Sequence, residues 1–186
     1  ASEYVSSGNS SSIYETGDRT STYTVTTAGA TIVSGSVSNL VNNNFNNNST
    51  GAFYWSAGDV TNTRKIVFDL GFGNSKIYTG VKCYHENTGT HGNWIWQGSN
   101  NNESYTDLSS SFVLGGSTTQ EITWSNEIEY RYIRLLGVSG TRVDSNWFQE
   151  VEFRVLDTII TTTGNFTGTT ITAPSSVSEM GAIITY

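Results

Sequence analysis

One cysteine and one proline stand in 186 residues, and only 13% of the chain is charged. A lone Cys83 cannot close an internal disulfide, so no disulfide framework organises the fold. That is unusual for a secreted eukaryotic domain and ordinary for a bacterial or viral surface protein. Nine Lys and Arg residues spread thinly through a chain of net charge -7 give no clustered basic surface of the kind phosphate backbones need, so nucleic acid is not an expected partner. No apolar run is long enough to span a bilayer, and no signal peptide is visible, so membrane insertion is not expected. A chain starting at Ala1 is consistent with a processed or cropped N-terminus.

Ser, Thr, Asn and Gly fill the chain instead, with aromatics at 12%. That composition suits short strands joined by polar loops, an all-β sandwich or barrel. The length suits one well-cored domain with appendages. Arg64 to Gly71 is the clearest strand: Ile66, Phe68 and Leu70 alternate with Lys65, Val67 and Asp69, as expected for a strand packed on both faces. Tyr130 to Leu136 is rich in aromatic and branched residues, and Val151, Phe153 and Val155 alternate with charged neighbours. Further strands are expected at Tyr23–Thr27, continuing through Ala30–Val33, and at Lys76–Tyr84, Trp94–Trp96 and Gln120–Trp124.

Three blocks carry a resemblance: Ile66-Val67-Phe68-Asp69-Leu70-Gly71, Tyr130-Arg131-Tyr132-Ile133-Arg134-Leu135 and Trp147-Phe148-Gln149-Glu150-Val151-Glu152-Phe153. With Trp96 to Asn101 and Tyr105-Thr106-Asp107-Leu108 between them, they resemble the discoidin, or coagulation-factor C-type, family, whose galactose-binding-like carbohydrate-binding modules are the nearest comparison. The resemblance spans about three-quarters of the chain and is more specific for fold than for ligand. It implies a discoidin-like (galactose-binding-like) jelly-roll β-sandwich with extended N- and C-terminal segments.

Six Asn fall within the seven positions Asn42 to Asn48. Read on its own, this is a solvated loop that uses the tolerance of Asn for left-handed backbone. The family resemblance implies more, because relatives hold a structural calcium in this position. The matching oxygen donors are Asn42, Asn44 and Thr50, with Glu150 from the last strand. Asn42 stands where the family has an acidic residue and Asn43 where it has Gly. In Phe53-Tyr54-Trp55, Trp55 is expected to plug the core, with Phe53 and Tyr54 at exposed tips.

Signatures of catalysis are few. His85, Glu86 and His91 have the wrong spacing for a zinc-protease helix, and Gly89 and Gly92 interrupt any helix there. Gly-x-Ser-x-Gly and phosphate-cradling glycine loops do not occur, and Glu150, Glu152 and Asp69 read as structural carboxylates. The expectation is a protein that is not an enzyme. A sugar needs an aromatic plane against its apolar ring face and directional partners for its hydroxyls. Loops at one end of a sandwich gather such groups. The loop residues offered are Tyr54, His85, Asn87, His91, Arg142, Asn146 and Trp147, beside Glu86 and Asp144. His, Arg and Asn with an aromatic resemble the galactose-binding set of the family's modules.

The expected organisation is an N-terminal arm over 1–19, the sandwich over 20–156 and a Thr/Gly-rich segment over 157–186. That last segment is expected to pair with a neighbouring domain or another subunit, as in a homo-oligomer. The leading expectation is a non-catalytic module binding galactose-type glycans on an extracellular or virion surface. The alternatives are a structural domain of a virus fibre, tail or capsid decoration that serves assembly alone, and an accessory module cropped from a glycosidase.

Overall fold

The computed structural model describes residues 11–142 and 147–157. The expectations for the first ten residues, for Asp144 and Asn146, and for the Thr/Gly-rich segment from 158 onward lie outside them. Strands β1 (Ser11–Tyr14), β2 (Thr24–Ala28) and β3 (Ile32–Gly35) precede a short 3₁₀ helix at Val37–Val41. Next come β4 (Phe53–Trp55), β5 (Gly58–Asp59), β6 (Lys65–Asp69) and the two long strands β7 (Lys76–His85) and β8 (Thr90–Ser99). The shorter β9 (Thr106–Asp107), β10 (Phe112–Gly115), β11 (Thr119–Thr123) and β12 (Glu129–Tyr130) follow. The described residues end with β13 (Tyr132–Ser139), β14 (Thr141–Arg142) and β15 (Phe148–Asp157).

These strands form two antiparallel sheets. One runs β11-β7-β15-β4-β3, with β1 also on β15 and β12 on β7. The other runs β10-β8-β13-β6-β2, with β9 on β8, and a separate ribbon pairs β14 with β5. Register follows from burial, because a one-residue slip would turn every core side chain outward. In the second sheet Ile133 pairs with Phe68, and Leu135 pairs with Ile66 on one side and Trp96 on the other. All five are fully buried. In the first sheet Val151 pairs with Cys83 and Phe153 with Val81, also fully buried.

The two inner faces meet through rings. Phe153 packs against Phe68 at 4.9 Å, Tyr78 at 5.3 Å and Trp96 at 5.8 Å. Trp55 stacks on Trp94 at 5.5 Å, with planes 5° apart. Each fully buried large apolar side chain contributes about 1.5–3 kcal/mol, so this seam is where the sandwich gains most. The all-β discoidin-like expectation is met.

Several local expectations change. Ala30–Val33 does not prolong β2: the chain crosses to the other sheet as β3, paired with β4. Gly29 permits the crossing. Its φ is 81°, and a Cβ there would lie 2.1 Å from the Thr63 carbonyl oxygen, so only glycine fits. Phe53 is not an exposed tip. Alternation along β4 buries it with Trp55 and leaves Tyr54 half-buried between them.

Residues 11–19, read from the sequence as part of an arm, belong with the sandwich. β1 pairs with β15 from Ser11↔Asp157 to Tyr14↔Arg154, the Glu15 N–H donates to the Phe153 carbonyl at 2.8 Å, and Arg19 is 5% exposed. Sparse apolar residues hid this, since the segment is anchored by backbone hydrogen bonds and ion pairs rather than by a hydrophobic face.

Candidate functional site

The loop between β7 and β8 and Trp147, the residue just before β15, meet near β4 at one end of the sandwich. Tyr54 and Trp147 meet there edge to face, ring centroids 4.7 Å apart and planes at 86°. Both are half-buried. In such a pair one ring presents its edge to the other's face, so most of the aromatic surface stays uncovered by the partner ring. The backbone of Trp147 is fixed from both sides by Glu86. The Glu86 N–H donates to the Trp147 carbonyl at 3.0 Å, and the Trp147 N–H donates to a Glu86 carboxylate oxygen at 3.4 Å. Asn87 is exposed beside them, its side-chain oxygen accepting from the Gly89 N–H at 2.8 Å.

Three residues expected at the ligand surface lie beneath it. His85 is 1% exposed and stacks on Phe148 at 4.6 Å, 21° from parallel. His91 is 3% exposed, 5.6 Å from His85. The reason is local. His85 ends β7 in the same alternation that buries Val81 and Cys83. β8 carries one extra residue between Thr90 and Asn93 opposite Val113–Gly115 of β10, a bulge that turns His91 inward. The His91 carbonyl also accepts from the Trp94 indole N–H at 2.7 Å. Burial lowers the imidazole of His85 to about 4, and the Arg142 charge adds to the effect. Burial lowers His91 to about 3, with His85 and Arg142 adding to it. Both rings are therefore neutral near pH 7.

Arg142 is 3% exposed and donates to the Trp55 carbonyl, with its guanidinium carbon 6.0 Å from the Tyr54 ring. It ties β14 to β4 under the aromatic pair. The gap between Arg142, His91, Leu114 and β4 measures about 10 Å³, roughly the space one water needs. This end is therefore a surface rather than a cleft, and on it Tyr54, Trp147 and Glu86 are half-buried and Asn87 is exposed.

The Asn-rich loop sits against the start of β15. Asn42 accepts the Asn44 N–H at 2.9 Å and Asn44 accepts the Asn46 N–H at 3.2 Å. The Thr50 hydroxyl donates to the Asn48 side-chain oxygen at 2.7 Å. Glu150, 1% exposed, takes an ion pair from Arg19 on one oxygen and the Asn43 N–H at 3.0 Å on the other. Burial raises the Glu150 carboxyl above its ordinary range, against the opposing pull of Arg19 and the Asn43 amide. Protonating it would strand the buried Arg19 charge, so it is a carboxylate here.

Asn42, Asn44 and one Glu150 oxygen thus already accept loop N–H groups, the Thr50 hydroxyl is given to Asn48, and the single carboxylate is already neutralised. That set does not fit a hard dication, which needs several free oxygens and net negative charge. Among the described residues no three His, Cys, Asp or Glu side chains cluster as metal ligands. Sequence reasoning missed Arg19. Its signal was slight, one basic residue closing a polar segment.

Two sheets in this order, with short loops gathered at one pole, define a discoidin-like sandwich. The F5/8 type C domain profile matches residues 18–153, and the chain belongs to that family. No curated protein matches the chain in sequence. Among solved structures, it is similar to the family 32 carbohydrate-binding module of C. perfringens NanJ in complex with galactose: 15% identity, 75% of this chain and 98% of that one, TM-score 0.53. It is also similar to the CBM32 of AlyQ in complex with 4,5-unsaturated mannuronic acid: 21% identity, 70% and 92% covered, TM-score 0.51. A third is the Clostridium perfringens module CpGH89CBM32-5 in complex with GalNAc-β-1,3-galactose: 11% identity, 72% and 96% covered, TM-score 0.53. At these identities the likeness is one of fold.

Proposed function

We propose that this domain is a non-catalytic carbohydrate-binding module that holds a galactose-type sugar on the Tyr54–Trp147 pair. The observation that carries the reading is the pair itself: two half-buried aromatics, edge to face at 4.7 Å, on a backbone that Glu86 fixes from both sides. A rigid ring costs little ordering entropy when it takes up a pyranose face. Glu86 and Asn87 supply acceptors and donors for the hydroxyls around it, and Asn146 completes the polar set in this reading. Arg142, His85 and His91 act from below by holding β4 and the loops in place. The likeness to sugar-binding modules solved with galactose and GalNAc-β-1,3-galactose supports the choice of sugar class.

In this reading the module acts on an extracellular or virion surface. The Thr/Gly-rich sequence from 161 to 171 supports that setting by its similarity to β extensions of virion fibres, and the C-terminal segment would join a neighbouring domain or subunit.

A glycan array probed with the full chain tests the proposal. Glycans ending in galactose or N-acetylgalactosamine should bind, and Trp147→Ala should abolish binding without changing the melting temperature. A blank array from protein shown folded by circular dichroism would overturn the reading and favour a purely structural role in assembly.

A further inference from the structure

We infer that Arg19 is the resident cation of this sandwich, standing where a divalent metal would otherwise join the Asn-rich loop to the last strand, and that the fold needs no calcium. Four contacts carry the inference. The Arg19 guanidinium pairs with Glu150 in the interior, the two side chains being 6% and 1% exposed. The same guanidinium donates through Nε to the Gly17 carbonyl at 3.2 Å. The Arg19 backbone N–H donates to the Val41 carbonyl at the end of the 3₁₀ helix at 2.7 Å. The second Glu150 oxygen accepts the Asn43 N–H, and Asn43 holds a left-handed φ of 56° to present it.

One residue thus fastens the segment before β2, the helix end and, through Glu150, both the Asn loop and β15. A bound metal uses its charge and coordination number for the same purpose. Arg supplies a permanent charge and a planar fork of donors without depending on the ion content of the medium. The two arrangements exclude each other. With Glu150 as the only carboxylate in the set, adding a dication beside the guanidinium would place three positive charges against one negative charge in a buried site. The side-chain oxygens of Asn42 and Asn44 are also held by loop N–H groups.

Thermal melts and calcium calorimetry on the full chain test this. The wild-type melting temperature should be the same in calcium and in chelator, and titration with calcium chloride should give no binding heat. Arg19→Ala should lower the melting temperature by roughly 10 °C, as loss of a buried pair does in a domain of this size. Arg19→Lys keeps the charge and should keep most of the stability.

If Arg19→Ala does not fold, Arg19→Ala/Glu150→Gln removes both charges and should recover folding. A wild-type melting temperature that rises with calcium and falls with chelator would overturn the inference. So would a double variant no better than Arg19→Ala. None of these readouts involves sugar, so failure here leaves the glycan proposal standing.

Discussion

Trp55 and Trp94 lie parallel within 5°, one from each sheet, and their stack closes the core directly beneath the loop pole. Trp55 is also the residue whose carbonyl receives Arg142. Removing either indole therefore opens a cavity and loosens the floor of the aromatic pair. Trp94→Ala should cost about 3–5 kcal/mol, read as a lower urea midpoint with the slope unchanged. An unchanged midpoint would show that the stack contributes little.

Tyr54 is expected to act through its ring rather than its hydroxyl. Tyr54→Phe should keep sugar affinity within a small factor, whereas Tyr54→Ala should weaken it by roughly tenfold or more, as for an aromatic anchor of an interface. Calorimetry with galactose measures both. Equal losses in the two variants would assign the contact to the hydroxyl instead.

Acid should destabilise the domain through its buried histidines. His85 titrates near 4 in the fold and at about 6.5 when unfolded. Between those values the unfolded chain binds the extra proton, so stability rises with pH. The contribution is complete above about pH 6.5 and is lost as pH falls toward 4, at up to about 1.4 kcal/mol per pH unit. His91 behaves alike, down to about 3. The charged and titratable neighbours of His85 are His91 and Arg142.

Both His85 ring nitrogens lack a hydrogen-bond partner among the described residues. His85→Phe should therefore be close to neutral at pH 7 and should flatten the acid limb of a melting-temperature profile. An identical acid limb in wild type and variant would rule out His85 as its source.

Cys83 is fully buried, and burial alone pushes its thiol far above the usual range. The folded chain should leave a thiol reagent uncoloured over hours and react fully once urea is added. Fast labelling of the native protein would mean that β7 opens locally.

What could be read from the sequence divides by the kind of force involved. Ile66, Phe68, Ile133, Leu135, Val151 and Phe153 announced themselves because alternation is a local record of burial, and all six are fully buried. The inner placement of Trp94 and Trp96 followed the same rule. His85 was misplaced because β7 runs one residue further than expected and its alternation buries His85 with Val81 and Cys83. His91 and Arg142 are instead turned inward by a bulge in β8 and a two-strand ribbon, of which composition carries no trace. Arg19 was missed because its partner, Glu150, is 131 positions away. Tyr54 and Trp147 were picked for their chemistry, but their edge-to-face meeting depends on how separate strands converge.

The pairing of Ser11 with Asp157 has a bearing on how such a domain can be used. The ten residues of β15 carry the chain about 30 Å from Trp147 to that pairing. The first and last described strands thus meet at one pole of the sandwich, and the aromatic pair sits at the other. A unit wired this way behaves as a cartridge. A join made at the Ser11–Asp157 end leaves the aromatic pair at the opposite end of the sandwich.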